Sequence, residues 1–70
     1  MSYILYTGNN CHDCAEVVAA IEKAGIEVEV INVDDTGIAP PIYLAIFPAL
    51  FEDNELKGCG RDILTYLKIS

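Results

Sequence analysis

The motif Cys11-His12-Asp13-Cys14 constrains the fold of this chain more than any other feature. It lies where a short apolar run, residues 3–6, gives way to residues with helical spacing. In the first turn of a helix the Cα atoms of two such cysteines are about 5–6 Å apart, a distance that a disulfide tolerates. The first sulfur then faces unpaired N–H groups and the positive end of the helix dipole, which favour the thiolate that attacks disulfides. The motif therefore predicts a redox-active dithiol.

Size and charge restrict the remaining possibilities. Seventy residues predict a single domain, 1–70, with a small core, and a hydrophobic content of 53% argues against disorder. A net charge of −7 repels phosphate backbones, so we expect no nucleic-acid partner. No apolar run is as long as the roughly 18 residues of a membrane span, and no basic segment leads into an apolar one at the N-terminus. We therefore expect a cytoplasmic protein that does not bind membranes.

The cysteine count leaves two kinds of site open. Three cysteines, two of them close together, do not match the disulfide framework of a small secreted domain. In a reducing compartment such a pair is more often catalytic or metal-binding. Cys11, His12, Cys14 and Cys59 could supply four ligands to zinc, but His12 is adjacent to Cys11 and no second paired motif exists. We assign no metal ligands, and keep as the alternative function a module that binds a metal or an iron–sulfur cluster through Cys11, Cys14 and Cys59.

The residues around the motif predict a strand followed by a helix. Residues 2–7 are nearly all apolar, which is typical of a central strand covered on both faces. The spacing of apolar residues then predicts a helix from Cys11 or His12 to Ala24, with Gly25 ending it.

The next stretch predicts a second strand and a short helix. Residues 26–33 alternate glutamate with valine, which indicates a strand near a sheet edge with one side in water. A strand, a helix and a strand with short links favour a right-handed βαβ unit with parallel strands. Residues 34–37 are predicted to turn the chain, and Pro40-Pro41 to open a short second helix through about Ala45.

The last third of the chain predicts a hairpin and a helix. Residues 48–52 form the expected third strand, 53–54 the turn and 55–57 a fourth strand, which must be antiparallel to the third. Residues 58–60 are expected to end that strand, and 61–68 to form the last helix. The predicted fold class is α/β, in the order β-α-β-(short α)-β-β-α, with a four-stranded mixed sheet flanked by helices.

This order of elements, with Cys-X-X-Cys after the first strand and a proline at the third, resembles the glutaredoxin branch of the thioredoxin superfamily. The most specific likeness combines the cysteine motif with Phe47-Pro48, Gly58 and Asp62. Residues 46–64 follow the family's order of a proline segment, a hairpin, a glycine pair and the last helix without a gap.

The resemblance implies a function and a set of site residues. It implies a thiol–disulfide oxidoreductase in which Cys11 attacks a substrate disulfide and Cys14 resolves the mixed disulfide. It also implies a cis Phe47–Pro48 peptide that faces the dithiol, and backbone there that pairs with an extended substrate. The substrate-binding residues that it implies are Thr7, His12, Phe47, Pro48, Gly58, Cys59 and Asp62.

Several departures from the family concern glutathione. The family's lysine before the motif is missing, and the segment expected to form the second helix has no arginine or glutamine. His12 and Asp13 replace the usual proline and tyrosine and have opposite effects on the thiol pKa. We therefore expect regeneration by a thioredoxin-reductase-type flavoprotein in preference to glutathione, with disulfide-containing proteins as substrates. Apart from the redox disulfide Cys11–Cys14, no permanently bound cofactor is expected.

Cys59 replaces the second of the family's paired glycines. Two interpretations are open for this residue. It fills a small buried gap as an apolar side chain, or it is a third redox thiol near the pair; the first is favoured.

Overall fold

The computed structural model describes residues 2–41 and 46–69. The elements are β1 (Tyr3–Thr7), α1 (His12–Ala24), β2 (Glu29–Asn32), α2 (Val33–Thr36), β3 (Ala49–Glu52), β4 (Glu55–Cys59) and α3 (Asp62–Leu67). The strands form one sheet in the order β2-β1-β3-β4, in which β1 pairs parallel with β2 and antiparallel with β3. This mixed α/β sheet confirms the predicted fold class.

Strand β1 lies inside the sheet because its side chains are apolar on both faces. Leu5 is buried on one face, in a cluster with residues of α1 and α3 such as Val17 and Ile63. Tyr6 is buried on the other face with Ala49 and Phe51 of β3. The end of β1 is thereby fixed between two packed layers, and the cysteine motif follows four residues after it.

Helix α1 begins and ends as the sequence predicts. The Cys11 side chain caps its N-terminus, and Gly25 follows its last residue with a φ of 73°, which a residue with a Cβ rarely adopts. Cys14, Val17 and Ile21 form the buried side of the helix. Packing of this side against the sheet holds the motif at the C-terminal end of β1.

The hairpin is confirmed, but β4 is longer than predicted. Asp53 and Asn54 both have positive φ, at 53° and 67°, as the two central residues of a type I′ turn do. The prediction that residues 58–60 end the strand is wrong, because pairing of Cys59 with Ala49 extends β4 past Gly58. The register shifts between Leu50 and Phe51, and only Gly60 lies outside the strand.

The second helix does not begin at the prolines as predicted. The helical turn α2 lies at Val33–Thr36, where we expected a turn, because the side chain of Asn32 accepts hydrogen bonds from the N–H groups of Asp34 and Asp35 (2.9 and 3.1 Å). Residues 38–40 have no regular structure and Pro41 lies in a bend, while the expected continuation over 42–45 lies outside the described residues.

Strand β2 and helix α3 are shorter than predicted. Strand β2 covers Glu29–Asn32 instead of 26–33, although its position at the sheet edge is confirmed. Helix α3 covers Asp62–Leu67, with Lys68 as its C-cap. None of the described helices has both the length and the apolar character needed to cross a bilayer.

Candidate active site

Cys11 and Cys14 form a disulfide across the first turn of α1, with their Cα atoms 5.2 Å apart. Cys11 is the N-cap residue and is half-buried, whereas Cys14 is buried on the core side of the helix. The predicted pairing is therefore geometrically available, and Cys11 presents the more accessible sulfur.

Two groups approach the sulfur of Cys11. The backbone N–H of Cys14 donates to Cys11 Sγ at 3.1 Å, and the carbonyl oxygen of Phe47 lies 3.6 Å from the same sulfur. The N–H and the positive end of the α1 dipole both stabilise negative charge at this position. The site therefore favours a thiolate on Cys11 after the disulfide is reduced.

The Phe47–Pro48 peptide is cis and faces the dithiol, in agreement with the implication of the family resemblance. Pro48 is buried immediately before β3, and its carbonyl accepts a hydrogen bond of 2.7 Å from the N–H of Gly60. That bond links the loop beyond β4 to the segment that faces Cys11. The backbone of Phe47 is consequently the part of this segment that adjoins the dithiol.

The remaining predicted site residues fall into two groups. Thr7 is buried at the end of β1 and borders an open groove of about 660 Å³ that also reaches Cys11. His12 is adjacent to Cys11 but points into solvent, with a side-chain exposure of 85%. Gly58 lies on β4 and Asp62 begins α3, and a Cβ on Gly58 would be 3.5 Å from Cγ1 of Ile63.

Cys59 lies outside the disulfide and faces the second layer of the core. It is half-buried and packs against the cluster of Tyr6, Ala49 and Phe51. Burial, and to a smaller extent the carboxylate of Asp62, raise the pKa of the Cys59 thiol. Both effects keep this thiol protonated at neutral pH, as suits an apolar filler residue.

Sequence reasoning missed the side chains that hold the loop in front of Cys11. Asp34 Oδ2 accepts a hydrogen bond of 2.7 Å from the Asn9 N–H, and Asn32 Nδ2 donates to Asn9 Oδ1 at 3.0 Å. An added Cβ on Gly8 would lie 3.3 Å from the same Asp34 oxygen. An asparagine before two acidic residues is a recognisable helix cap, but the contact with a loop 25 residues away has no local signal.

Sequence reasoning also missed Glu16. Its Oε1 lies 2.8 Å from Nε2 of His12, and its Oε2 is hydrogen-bonded to the guanidinium of Arg61. The spacing of His12 and Glu16 by four residues on a helix could have suggested the first contact. The second contact joins α1 to the residue before α3 and depends on tertiary structure.

The described residues offer no preformed metal centre. Within 2–41 and 46–69, no three histidine, cysteine, aspartate or glutamate side chains are close enough together to hold a metal ion. The alternative of a metal or cluster module therefore gains no geometric support.

The fold and the dithiol together define a class: a thioredoxin-like α/β protein with a Cys-X-X-Cys pair at the first helix. A family model, Glutaredoxin, matches residues 3–39, which is more than half of the chain. The chain belongs to the glutaredoxin family, whose members generally use glutathione and disulfide substrates. No curated protein and no solved structure matches it. Family membership and the cysteine pair support thiol–disulfide redox activity in general terms.

Proposed function

We propose that this protein reduces disulfides, with Cys11 as the nucleophile and Cys14 as the resolving thiol. The observation that carries the proposal is the position of the Cys11 sulfur at the N-terminus of α1, 3.1 Å from the Cys14 nitrogen. A sulfur held in this way is stabilised as a thiolate, whereas the buried Cys14 sulfur is less accessible to a large substrate.

The reaction is two successive exchanges. The Cys11 thiolate attacks one sulfur of the substrate disulfide, a Cys11–substrate disulfide forms, and the first substrate thiolate leaves and takes a proton from solvent. Cys14 then loses its proton and attacks Cys11 Sγ, which forms the Cys11–Cys14 disulfide and releases the second substrate thiol. Two electrons pass from the dithiol to the substrate.

The substrates we propose are proteins that present a disulfide in an extended segment. Support comes from the backbone of Phe47, whose carbonyl lies 3.6 Å from Cys11 Sγ. The carbonyl of Pro48, by contrast, already accepts a hydrogen bond from the N–H of Gly60. An extended chain beside Phe47 would bring its own sulfur to Cys11. In the same proposal, the residues that border the bound segment are Thr7, His12, Pro48, Gly58, Cys59 and Asp62.

For regeneration we propose a flavoprotein of the thioredoxin-reductase type in the cytoplasm, in preference to glutathione. The argument is electrostatic, since glutathione is an anion and the loop before Cys11 has no cation. Asp13 adds a negative charge next to the thiols. The acidic protein would favour a reductase with a basic face.

Replacement of each cysteine by serine tests the two roles. We expect C11S to lose disulfide reductase activity altogether, because no accessible nucleophile remains. We expect C14S to accumulate a mixed disulfide with its substrate, because the resolving attack is removed. Mass spectrometry after proteolysis identifies the cysteine that carries the substrate.

The same experiment can reverse or reject the proposal. A substrate adduct on Cys14 in C11S, with no adduct in C14S, would exchange the two roles. Full reductase activity in the double variant C11S/C14S would remove the dithiol from the reaction.

A further inference from the structure

Glu16 lies on α1 between the motif histidine and the start of α3. One of its carboxylate oxygens is 2.8 Å from His12 Nε2, and the other is hydrogen-bonded to Arg61. Both oxygens are therefore occupied, each by a side chain that could otherwise contact an anionic substrate.

Arg61 is one of the lysine and arginine residues, and its guanidinium contacts α1 near the cysteine motif through Glu16. It follows directly after Gly60, whose N–H holds the Pro48 carbonyl next to Phe47 and Cys11. The sequence has only three others. Lys23 lies about 14 Å further along α1 than Cys14, Lys57 is 3.8 Å from Glu55, and Lys68 caps the far end of α3.

We propose that Glu16 determines substrate specificity by lowering the reactivity of the dithiol toward anionic disulfides. Its carboxylate interacts with both His12 and Arg61 and adds a negative charge five residues, or about 1.4 helical turns, after Cys11. The exposed ion pairs themselves contribute little to stability. They have a larger effect on the approach of a charged substrate than on stability, because approach rates depend directly on local charge. This inference rests on the proposed function and names the class of substrate that the site disfavours.

The chemical step is the same for every substrate in the comparison. Reduced protein and a disulfide give the Cys11–Cys14 disulfide and two thiols, so two electrons leave the dithiol and no other reductant is needed. The substrates differ in charge: glutathione disulfide carries a net negative charge at neutral pH, hydroxyethyl disulfide is neutral, and cystamine is positive. The variants therefore differ in how strongly the charges at the site attract or repel the approaching disulfide.

The test measures single-turnover rates of the pre-reduced protein with each disulfide. The quantity compared is the rate with glutathione disulfide divided by the rate with hydroxyethyl disulfide, which cancels general changes in thiol reactivity. We expect this ratio to rise about three- to tenfold in E16Q at low salt, and the gain to shrink toward 1 M salt. We expect the corresponding ratio for cystamine to fall.

Glu22→Gln is the matched control. Glu22 lies on the same helix and is exposed. Its replacement by glutamine changes the net charge of the protein by the same amount as E16Q. Glu22 is about 16 Å further along the helix axis than Cys11, about twice the distance of Glu16, so its charge acts more weakly on the dithiol even at low salt. We expect the glutathione ratio to change less than about twofold in E22Q.

Variants with Arg61→Gln distinguish two effects of E16Q, which are the release of the Arg61 guanidinium and the loss of the negative charge of Glu16. In E16Q/R61Q most of the gain should disappear, because the freed guanidinium is no longer present. In R61Q alone the glutathione ratio should fall about two- to threefold below that of the unmodified protein, since Glu16 is no longer neutralised. The single variant R61Q keeps the test valid if circular dichroism shows that E16Q does not fold.

The outcomes distinguish this inference from the proposed function. If the unmodified reduced protein does not react with hydroxyethyl disulfide, the proposed function fails and this inference fails with it. If it reacts but E16Q and E22Q have equal glutathione ratios, or R61Q leaves the ratio unchanged, Glu16 has no role in specificity while the proposed function stands.

Discussion

Cys11 and Cys59 show how two cysteines in one small protein come to lie in opposite environments. Cys11 lies at a helix N-terminus, where a backbone N–H points at its sulfur. Cys59 lies on β4 among apolar side chains, where burial and then the charge of Asp62 raise the pKa of its thiol. In the proposed reaction the side chain at position 11 is the nucleophile, whereas the side chain at position 59 remains a protonated apolar residue.

A prediction at this scale concerns the alkylation of Cys59. In C11S/C14S, Cys59 is the remaining thiol, and its raised pKa means that less thiolate is present at any pH near neutrality. We expect iodoacetamide to modify it more slowly at pH 7 than an unstructured cysteine, with a rate that rises with pH to a midpoint above the usual range. Asp62→Asn should speed the reaction and lower that midpoint, because it removes the second cause of the shift.

Asp13→Asn in the same background is the control for total charge. It removes one negative charge at the dithiol, whereas the charge that acts on Cys59 belongs to Asp62. Equal acceleration by D13N and D62N would assign the effect to net charge and not to the neighbour of Cys59.

Helix α2 acts as a short anchor for the loop before Cys11. Asn32 serves both elements, since its Oδ1 caps α2 at Asp34 and Asp35 while its Nδ2 donates to Asn9. Asp34 adds a bond to the Asn9 N–H. A single helical turn thereby fixes the chain just before Cys11.

A prediction at the scale of elements uses Asn32. Asn32→Ala removes the cap and the bond to Asn9, and loss of a cap costs about 0.5–2 kcal/mol. We expect the free energy of unfolding, measured in urea, to fall by about 1 kcal/mol, and Tm by about 4–8 °C. Asn32→Ser keeps a capping oxygen but is too short to reach Asn9, so it should recover most of this loss. Equal destabilisation by alanine and serine would show that the cap contributes little.

The whole molecule carries a net charge of −7, and this charge bears on how it is reduced. Glutathione must approach an acidic protein at a site without the family's lysine, with Arg61 engaged by Glu16. Loss of one charge-assisted contact costs about 1.5–3 kcal/mol, roughly ten- to a hundredfold in affinity. The net charge of the molecule and the charges at the site therefore both disfavour glutathione.

A prediction at this scale compares the two reducing systems. We expect insulin reduction to be faster with NADPH and thioredoxin reductase than with glutathione and glutathione reductase at matched concentrations. Rapid turnover with glutathione and none with the flavoprotein would contradict the proposed partner.

Gly8→Lys provides a gain-of-function variant for the same comparison. A Cβ at this position would lie 3.3 Å from Asp34 Oδ2 and 3.9 Å from Phe47 Cδ2, so a lysine there returns a cation to the site if the Asp34 side chain shifts slightly. We expect glutathione-dependent turnover to rise about tenfold. Gly8→Ala, which adds the Cβ without the charge, should not produce this gain.

The sequence by itself determined the features that depend on neighbouring residues. The cysteine spacing, the stop of α1 at Gly25 and the turn at Asp53-Asn54 each follow from local backbone geometry, which a few adjacent residues specify. The apolar run of β1 likewise predicted a central strand, because burial on both faces leaves no alternating pattern. These features were sufficient for the fold class and for the position of the dithiol.

Tertiary structure decided the features that depend on residues far apart in the chain. Strand β4 extends to Cys59 because Ala49 pairs with it, and the Asn9 loop is held by Asp34 on another element. The contact of Glu16 with Arg61 spans 45 residues. Hydrogen bonds and ion pairs of this kind form between whichever side chains packing brings together, so no local pattern in the sequence marks them.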